Sequence, residues 1–266
     1  MARSKLNKLL QIVENATTEA PIEKQFISDL TYSIEKTDSS GVRTPSKTFK
    51  PSSIGGCPRA IYYQLIGARP DEEQRSSFTL VGICESGSDR HIRIQQAISD
   101  MAKNGIDCEY IDVETFIKER GLEEEIKVVS KEGMETKCYS PLYNVSFLTD
   151  GIIKYKGKYY ILEIKTMGTQ KYIESKEVRN EHKAQGTLYC LLFHLPAVMY
   201  LYEDRQMLNK KAFLYEVSDD MKQELIHKMA YITDCVKNNT PPDIPENKKC
   251  TYCQYVSLCN MNKPMQ

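Results

Sequence analysis

The sequence predicts an α/β fold, and three observations lead to this prediction. From Phe147 to Met167, two runs rich in Ile, Leu, Tyr and Val flank Lys156-Gly157, which is typical of a β-hairpin closed by a two-residue turn. The segment 197–202 is almost continuously apolar, as in a strand buried on both faces. Segments with helical periodicity lie before and after both of these regions. At 266 residues the chain is long enough to bury a large core, so we expect one elaborated domain.

The N-terminal part predicts two amphipathic helices, one from Ser4 to Glu14 and one that begins at Ile22, because apolar residues recur there at helical spacing. The Ser-, Thr- and Pro-rich segment from Thr37 to Ser53 is interpreted as a linker. We therefore divide the chain into residues 1–50 (helices and linker), 51–240 (core) and 241–266 (cysteine-rich tail). The N-terminal helices are a candidate docking site for a protein partner.

Within the core, two helices precede the hairpin. Pro58 favours a helix from about Arg59 to Ile66, with Cys57 at its N-terminal end. A second helix is predicted over Ser76–Met101 and carries Gly87 and His91 one turn apart. A strand over 109–113, a short helix over 114–120 and a strand over 126–130 follow.

After the hairpin, Tyr172–Leu195 is predicted to be one helix, with Gln185 and Tyr189 four residues apart on one face. Two strands, 197–202 and 212–217, come next. Ser218 is then expected to cap a helix that continues to about Asn238.

The hairpin places acidic side chains together. If Lys156 and Gly157 form the turn, Tyr155 pairs with Lys158, and the same register brings Asp150 opposite Glu163. Glu163 and Lys165 share a face because they are two apart on one strand. Like charges opposed across a hairpin are destabilising unless a cation lies between them, and a hard divalent metal ion suits such a site. The alternative is an ordinary solvated strand face.

The tail contains a cluster of cysteines. Cys250, Cys253 and Cys259 follow a Pro-rich stretch, and a site of three thiols needs a fourth ligand. Cys57 is the candidate, since the other cysteines lie inside helix or strand patterns where a small apolar residue packs. One plus three cysteines favours an iron–sulfur cluster over zinc, which more often uses two paired Cys-x-x-Cys elements, but ligand number does not exclude zinc.

The charge balance of the chain and its N-terminal sequence limit the functions that it can have. Lys plus Arg equals Asp plus Glu, so no overall positive field marks the chain as a non-specific nucleic-acid coat, and any such contact must use a local groove. The N-terminus lacks the apolar core of a signal peptide, and no later segment is apolar for long enough to cross a bilayer. We therefore expect a cytoplasmic protein, of cellular or viral origin, whose nine cysteines are reduced thiols or metal ligands.

These motifs follow one another in a recognisable order. They are Cys57, His91 after Gly87, Asp150-Gly151, Glu163-Ile164-Lys165, Gln185-x-x-x-Tyr189, and Cys-x-x-Cys followed by a last cysteine. The order resembles that of the PD-(D/E)XK nuclease superfamily. Within it, the chain is similar to RecB-like exonucleases that carry a four-iron cluster, such as the CRISPR-associated RecB-like exonucleases and the nuclease domain of AddB-type helicase-nucleases.

The resemblance runs from Ser52 to Cys259 and implies a restriction-endonuclease-like fold, with a mixed central sheet flanked by helices. Thr149 stands where the namesake motif has Pro, a common variation in RecB-like members. The first 50 residues and the region 106–143 match no motif of the superfamily.

The resemblance also implies a role for each motif residue. Asp150, Glu163 and Lys165 would be catalytic, and His91, Asp150, Glu163 and the Ile164 carbonyl would hold Mg²⁺ or Mn²⁺. Gln185 and Tyr189 would contact a DNA strand. Cys57, Cys250, Cys253 and Cys259 would hold a 4Fe–4S cluster that staples the tail to the core.

The implied function is metal-dependent exonuclease activity that prefers single-stranded DNA ends, in recombination, repair or DNA processing. Two alternatives remain open. One is a DNA-binding or scaffold subunit that keeps the nuclease fold without the chemistry. The other is a zinc-bearing, sequence-specific endonuclease.

Overall fold

A computed structural model of the chain describes residues 22–37, 46–71, 78–245, 250 and 253–261. The described residues divide into two compact units, one with residues 22–37 and 78–84 and the other with residues 46–71, 85–245, 250 and 253–261. In the first unit, helix α1 (Ile22–Thr37) matches the second of the two predicted N-terminal helices. The helix predicted from Ser4 to Glu14 lies outside the described residues. None of the described helices is both long and apolar enough to span a membrane.

Helices and strands alternate through the rest of the chain. The helices are α2 (Pro51–Ile54), α3 (Pro58–Leu65), α4 (Phe78–Ser99), α5 (Val113–Glu119), α6 (Thr169–Glu174), α7 (Asn180–Leu192), α8 (Asp219–Lys237) and α9 (Val256–Met261). The strands are β1 (Cys108–Ile111), β2 (Lys127–Glu132), β3 (Glu135–Ser140), β4 (Val145–Thr149), β5 (Gly151–Tyr155), β6 (Lys158–Met167), β7 (Ala197–Asp204) and β8 (Lys210–Glu216).

The main sheet has five strands in the order β1-β5-β6-β7-β8, and it is mixed because β6 and β7 run parallel while the other pairs are antiparallel. Helix α7 packs against β6 and β7. On the other face, Ile94 of α4 packs with Ile153, Leu162 and Ile164. The predicted fold class, a mixed central sheet flanked by helices, is therefore confirmed.

The central hairpin forms as predicted. Lys156 and Gly157 both have positive φ, 48° and 76°, which matches the turn whose twist suits adjoining strands. Tyr155 pairs with Lys158, and the ladder continues to Gly151 opposite Leu162. The register on which the carboxylate prediction depends is thus present.

A second sheet of three strands, β2-β3-β4, lies in the chain between β1 and β5 of the main sheet, and the sequence does not indicate β3. The inward positions of this strand are Thr136, Cys138 and Ser140, all buried. Because these side chains are small and two are polar, the strand lacks the apolar alternation by which strands are found in a sequence.

The predicted linker from Thr37 to Ser53 is wrong at its C-terminal end. Phe49 is buried and forms a parallel bridge with Val145, and Pro51 begins the short helix α2, whose Ile54 is fully buried. Pro fits the first turn of a helix because its missing N–H has no helical partner there.

The single helix predicted over Tyr172–Leu195 is also wrong, since the chain forms α6 and α7 with an extended break between them. Ser175 ends α6 with extended backbone angles, and Val178 is buried within the break. The Arg179 N–H donates to the Tyr202 hydroxyl at 3.0 Å, so a tertiary hydrogen bond replaces the helical one.

The tail packs beside α3. The Arg59 Nε donates to the Pro242 carbonyl at 2.6 Å, and the Asp71 N–H donates to the Gln254 carbonyl at 2.7 Å. The rings of Tyr63 and Tyr255 lie 5.7 Å apart, and Tyr255 is buried. Hydrogen bonds and ring packing therefore connect segments that are almost 200 residues apart in the sequence.

Candidate active site

Four elements of the second unit bring the predicted active-site residues together. Asp150 lies at the bend between β4 and β5, Glu163 and Lys165 lie on β6, and His91 lies on α4. Gln185 comes from α7, on the face that packs against β6. Residues that are far apart in the sequence thus meet at one point of the main sheet.

Asp150 occupies the position that the hairpin register predicts, although the ladder stops one pair before it. Its Oδ2 accepts a hydrogen bond of 2.6 Å from the Ile164 N–H on β6. Gly151 follows with φ of 143°, and a Cβ there would lie 2.5 Å from the Tyr110 hydroxyl. Only glycine fits this bend, because both the backbone angle and the contact exclude a side chain.

The backbone of Asp150 is held by hydrogen bonds, as its carboxylate is. The Asp150 carbonyl accepts hydrogen bonds from the Tyr110 hydroxyl at 2.7 Å and from the Gln95 Nε2 at 2.8 Å. Gln95 is fully buried on α4, so this contact also joins the helix to the bend. Asp150 is therefore oriented through both its side chain and its main chain.

His91 faces Asp150, with 3.0 Å between the His91 Nδ1 and the Asp150 Oδ1. Burial alone would lower the pKa of His91, but the hydrogen bond to Asp150 and the nearby carboxylates outweigh it, so the pKa is raised. Helix α4 is anchored at this point because Arg90 and Arg93 contact the fully buried Glu203 of β7 at 3.1 and 2.7 Å. This anchor sets the side of α4 that faces the bend.

Glu163 and Lys165 lie on the same face of β6, as predicted. The Lys165 Nζ is 2.6 Å from the Glu163 Oε1 and donates to the Gln185 Oε1 at 3.0 Å, while the Gln185 Nε2 donates to the Glu163 Oε1 at 2.7 Å. Burial, and then repulsion by Asp150, raise the pKa of Glu163 well above its usual range. Lys165 only partly offsets these two effects.

Tyr189 lies beneath this group and is 3% exposed. Its hydroxyl donates to the Leu148 carbonyl and accepts a hydrogen bond of 3.4 Å from the Gln185 Nε2. In this position Tyr189 orients Gln185. Its contact with a DNA strand, which the sequence suggested, stays a prediction.

A further carboxylate, Glu135 at the start of β3, belongs to the same site. One ligand atom each from His91, Glu135 and Asp150 lie within 4.8 Å of one another. Glu135 could not be found from the sequence, because it lies on the strand that was not predicted and belongs to no motif. Gly87, by contrast, has room for a side chain, as its nearest such contact would be Thr166 at 3.8 Å.

The donor set fits a hard divalent cation. Carboxylate oxygens of Asp150 and Glu135 and a ring nitrogen of His91 lie within 4.8 Å of one another and are ligand types that Mg²⁺ and Mn²⁺ accept, while Glu163 offers the same type of ligand outside that close group. Burial, and then the charge of Asp150, raise the pKa of Glu163, and a bound cation would favour the charged form of this carboxylate. Physical chemistry and geometry therefore agree on the kind of ion that this group would hold.

The four predicted cluster cysteines interact electrostatically, although among the described residues they do not form a group of three or more possible ligand atoms within 4.8 Å of one another, as His91, Glu135 and Asp150 do. Cys57 is the residue before α3, and Cys253 and Cys259 border or belong to α9. Burial raises the pKa of the Cys253 thiol, and Cys250, Cys57 and Cys259 are close enough to raise it further. Four thiols in neighbouring segments are a donor set that suits a metal or cluster that accepts sulfur ligands.

No family model and no curated protein matches the chain. Among solved structures it is similar to the crystal structure of SSO0001, with 15% identity, coverage of 88% of this chain and 96% of that chain, and a TM-score of 0.45. An alkaline exonuclease from Laribacter hongkongensis, LHK-Exo, shows 11% identity, coverage of 73% and 90%, and a TM-score of 0.42.

The structure of LHK-Exo in complex with dAMP gives 12% identity, coverage of 75% of this chain and 93% of that chain, and a TM-score of 0.44. Likenesses of this size do not identify a family. The function must therefore be inferred from the residues of the chain itself.

Proposed function

We propose that the chain is a metal-dependent deoxyribonuclease of the PD-(D/E)XK type that hydrolyses phosphodiester bonds at DNA ends and prefers single strands. One observation carries the proposal: Asp150, Glu163 and His91 converge at the bend while Lys165 contacts Glu163 at 2.6 Å. An acidic cluster that serves only as surface would remain in water, whereas Glu163 is 3% exposed.

Each residue has a distinct task in this proposal. His91, Asp150, Glu163 and the Ile164 carbonyl would hold Mg²⁺ or Mn²⁺, and Glu135 is a further ligand candidate on the basis of its distance. The ion, when bound, supplies Lewis acidity to the scissile phosphate and lowers the pKa of a water ligand.

Lys165 provides the positive charge that the protein itself brings to the reaction. Its ammonium is fixed by Glu163 and by Gln185, so it needs no reorganisation when negative charge grows on the phosphate oxygens. The Glu163 carboxylate contacts Lys165 at 2.6 Å and would also help to hold the ion, so it would keep two positive charges close to the scissile phosphate.

The comparison of linear and circular single-stranded DNA tests this function. With Mg²⁺ or Mn²⁺ we expect degradation of the linear substrate only, and removal of the ion by EDTA stops the reaction. Cleavage of both substrates would indicate an endonuclease, and cleavage of neither would indicate a scaffold protein. Gel electrophoresis of end-labelled DNA distinguishes the three results.

We further propose that Cys57, Cys250, Cys253 and Cys259 hold a 4Fe–4S cluster, with zinc as the alternative metal. The electrostatic proximity of the four thiols and the packing of the tail on α3 support this assignment. Such a link would close a loop of about two hundred residues, and the closure of a long loop removes much conformational entropy from the unfolded chain.

Replacement of Cys253 by Ser is expected to remove the visible iron–sulfur absorption and to lower the free energy of unfolding, because a structural metal site contributes directly to folding. Absorption spectra, iron and zinc analysis, and chemical unfolding of anaerobically purified protein measure these effects. Cys235→Ala in α8 is the matched control, since Cys235 lies outside the four-cysteine group. A Cys253→Ser protein that keeps full iron content would contradict the assignment.

A further inference from the structure

A second polar feature adjoins the candidate active site. A cavity of about 500 Å³ opens where the parallel strands β6 and β7 end, and its lining includes Lys165 on one side and Arg205 on the other. The start of α6 and the start of α7 complete its walls. The carboxyl ends of parallel strands are where open α/β sheets commonly bind ligands.

The cavity is strongly basic although the whole chain has no net charge. Its lining carries four cationic side chains, Lys165, Lys171, Arg179 and Arg205, against the single carboxylate of Glu181. Glu181 is already engaged, because the Arg179 Nε donates to its Oε1 at 2.9 Å.

Two of these cations form no direct ion pair in the part of the chain that the structure describes. Neither Lys171 nor the half-buried Arg205 forms an ion pair there, although Arg205 is fixed by its backbone. The Arg205 N–H donates to the Met167 carbonyl at 2.8 Å, and its carbonyl accepts from Arg90 at 2.9 Å. The backbone of Arg205 is therefore fixed on both sides, and its side chain starts from a fixed position at the edge of the cavity.

His182 also lines the cavity and is largely buried beside these cations. Burial lowers its pKa to about 4, and Lys165, Arg179 and Lys171 all contribute in the same direction. The imidazole is consequently neutral at pH 7, and its Nδ1 lies 2.6 Å from the Tyr202 hydroxyl. The positive charge of the cavity thus comes from its lysines and arginines, whose charge persists across the neutral pH range.

We propose that this cavity is a phosphate-binding site, which holds the phosphate next to the scissile one on a bound nucleic-acid strand. The inference rests on the proposed function, because Lys165 is shared by the cavity and the candidate active site and would contact both phosphates. Arg205 and Lys171 are the residues that bind the neighbouring phosphate. Arginine offers two parallel donors to phosphate oxygens, and lysine adds a point charge.

The phosphate can come from two sources, a terminal phosphomonoester of a strand end or an internal phosphodiester. Binding of internally labelled 12-nucleotide strands is measured by fluorescence anisotropy in EDTA, so that no cleavage is needed. Three strands are compared: one with a 5′-phosphate, one with a 3′-phosphate and one with neither. The proteins are the parent chain, Arg205→Gln, Lys171→Gln and the control Lys158→Gln.

Lys158 is a suitable control because it is an exposed lysine at the opposite end of β6. Each cavity variant is expected to bind about tenfold more weakly, since a hydrogen bond to a charged group is lost. The slope of log affinity against log salt concentration is expected to fall by about 0.7 per lost contact with a single strand. The control Lys158→Gln is expected to keep the affinity of the parent and its dependence on salt concentration.

The pattern across the strands identifies the source. If the parent prefers one terminal phosphate and the variants lose that preference, the cavity binds a strand end; equal loss on all three strands indicates a backbone phosphodiester. Parent-like binding by both variants, or no detectable binding by the parent, overturns the site. If the variants lose binding but the parent degrades no DNA under any condition, the phosphate site stands and the nuclease proposal fails.

Discussion

Replacement of Asp150 by Asn is expected to abolish metal-dependent DNA cleavage, with a fall in rate of about 10³-fold or more. Asn retains the shape of the side chain and can still accept the hydrogen bond from the Ile164 N–H. What it removes is the negative charge that attracts the ion, and with it the Lewis acidity on which hydrolysis depends. Initial rates on end-labelled single-stranded DNA, with Mg²⁺ and with Mn²⁺, measure the effect.

The same variant separates metal binding from folding. Because Asp150 repels Glu163, we expect the Asn variant to be at least as stable as the parent in EDTA, while Mn²⁺ binding measured by calorimetry is lost. Glu109→Gln, on the exposed face of β1, is the matched control and keeps both properties. Glu135→Gln is expected to weaken Mn²⁺ binding less than the Asp150 variant does. Undiminished cleavage by Asp150→Asn would rule out the proposed site.

Replacement of Lys165 by Ala has the second largest expected effect, a fall in kcat of about 10²- to 10³-fold. Lys165 is poised to stabilise negative charge that grows only in the transition state, and removal of one such group has a cost of this size. Single-turnover kinetics with saturating metal and DNA isolate this step. DNA binding is expected to remain measurable, because the other cations of the cavity are unchanged.

The control for this experiment is a neighbouring lysine. Lys183 lies on α7 and pairs with Glu177 at 3.4 Å, so its replacement by Ala removes a nearby positive charge without touching Glu163. If Lys183→Ala slows the reaction as much as Lys165→Ala, the slower rate comes from the loss of positive charge in the region and not from a specific role of Lys165. A rate unchanged in Lys165→Ala would show that the contact with Glu163 has no catalytic consequence.

The sequence alone predicts the features of the fold and the site that depend on local rules. The turn at Lys156-Gly157 depends on the positive φ that glycine adopts easily, and once the turn was located, counting along two strands placed Asp150 next to β6. The contact between Glu163 and Lys165 follows from the two-residue period of a strand. These features need no knowledge of distant parts of the chain.

Features that depend on tertiary packing could not be predicted in this way. Glu135 reaches the site because a three-stranded sheet delivers it, and the inner face of that strand is too polar to be recognised. The break before α7 depends on a hydrogen bond from the Arg179 N–H to Tyr202, more than twenty residues later. The basic cavity joins residues from three separate segments, and the overall charge of the chain conceals it.

The bend at Gly151 has a consequence for how the two sheets hold together. The chain passes there from β4 of the small sheet to β5 of the large one, and the predicted ligands are divided between them, with Glu135 in the first and Glu163 in the second. An ion bound at the bend would cross-link the sheets, and only the folded chain could bind it. By mass action, ion at one hundred times its dissociation constant would add about 2.7 kcal/mol to the free energy of unfolding. The concentration of divalent ion would then determine how firmly the two sheets are joined as well as the rate of hydrolysis.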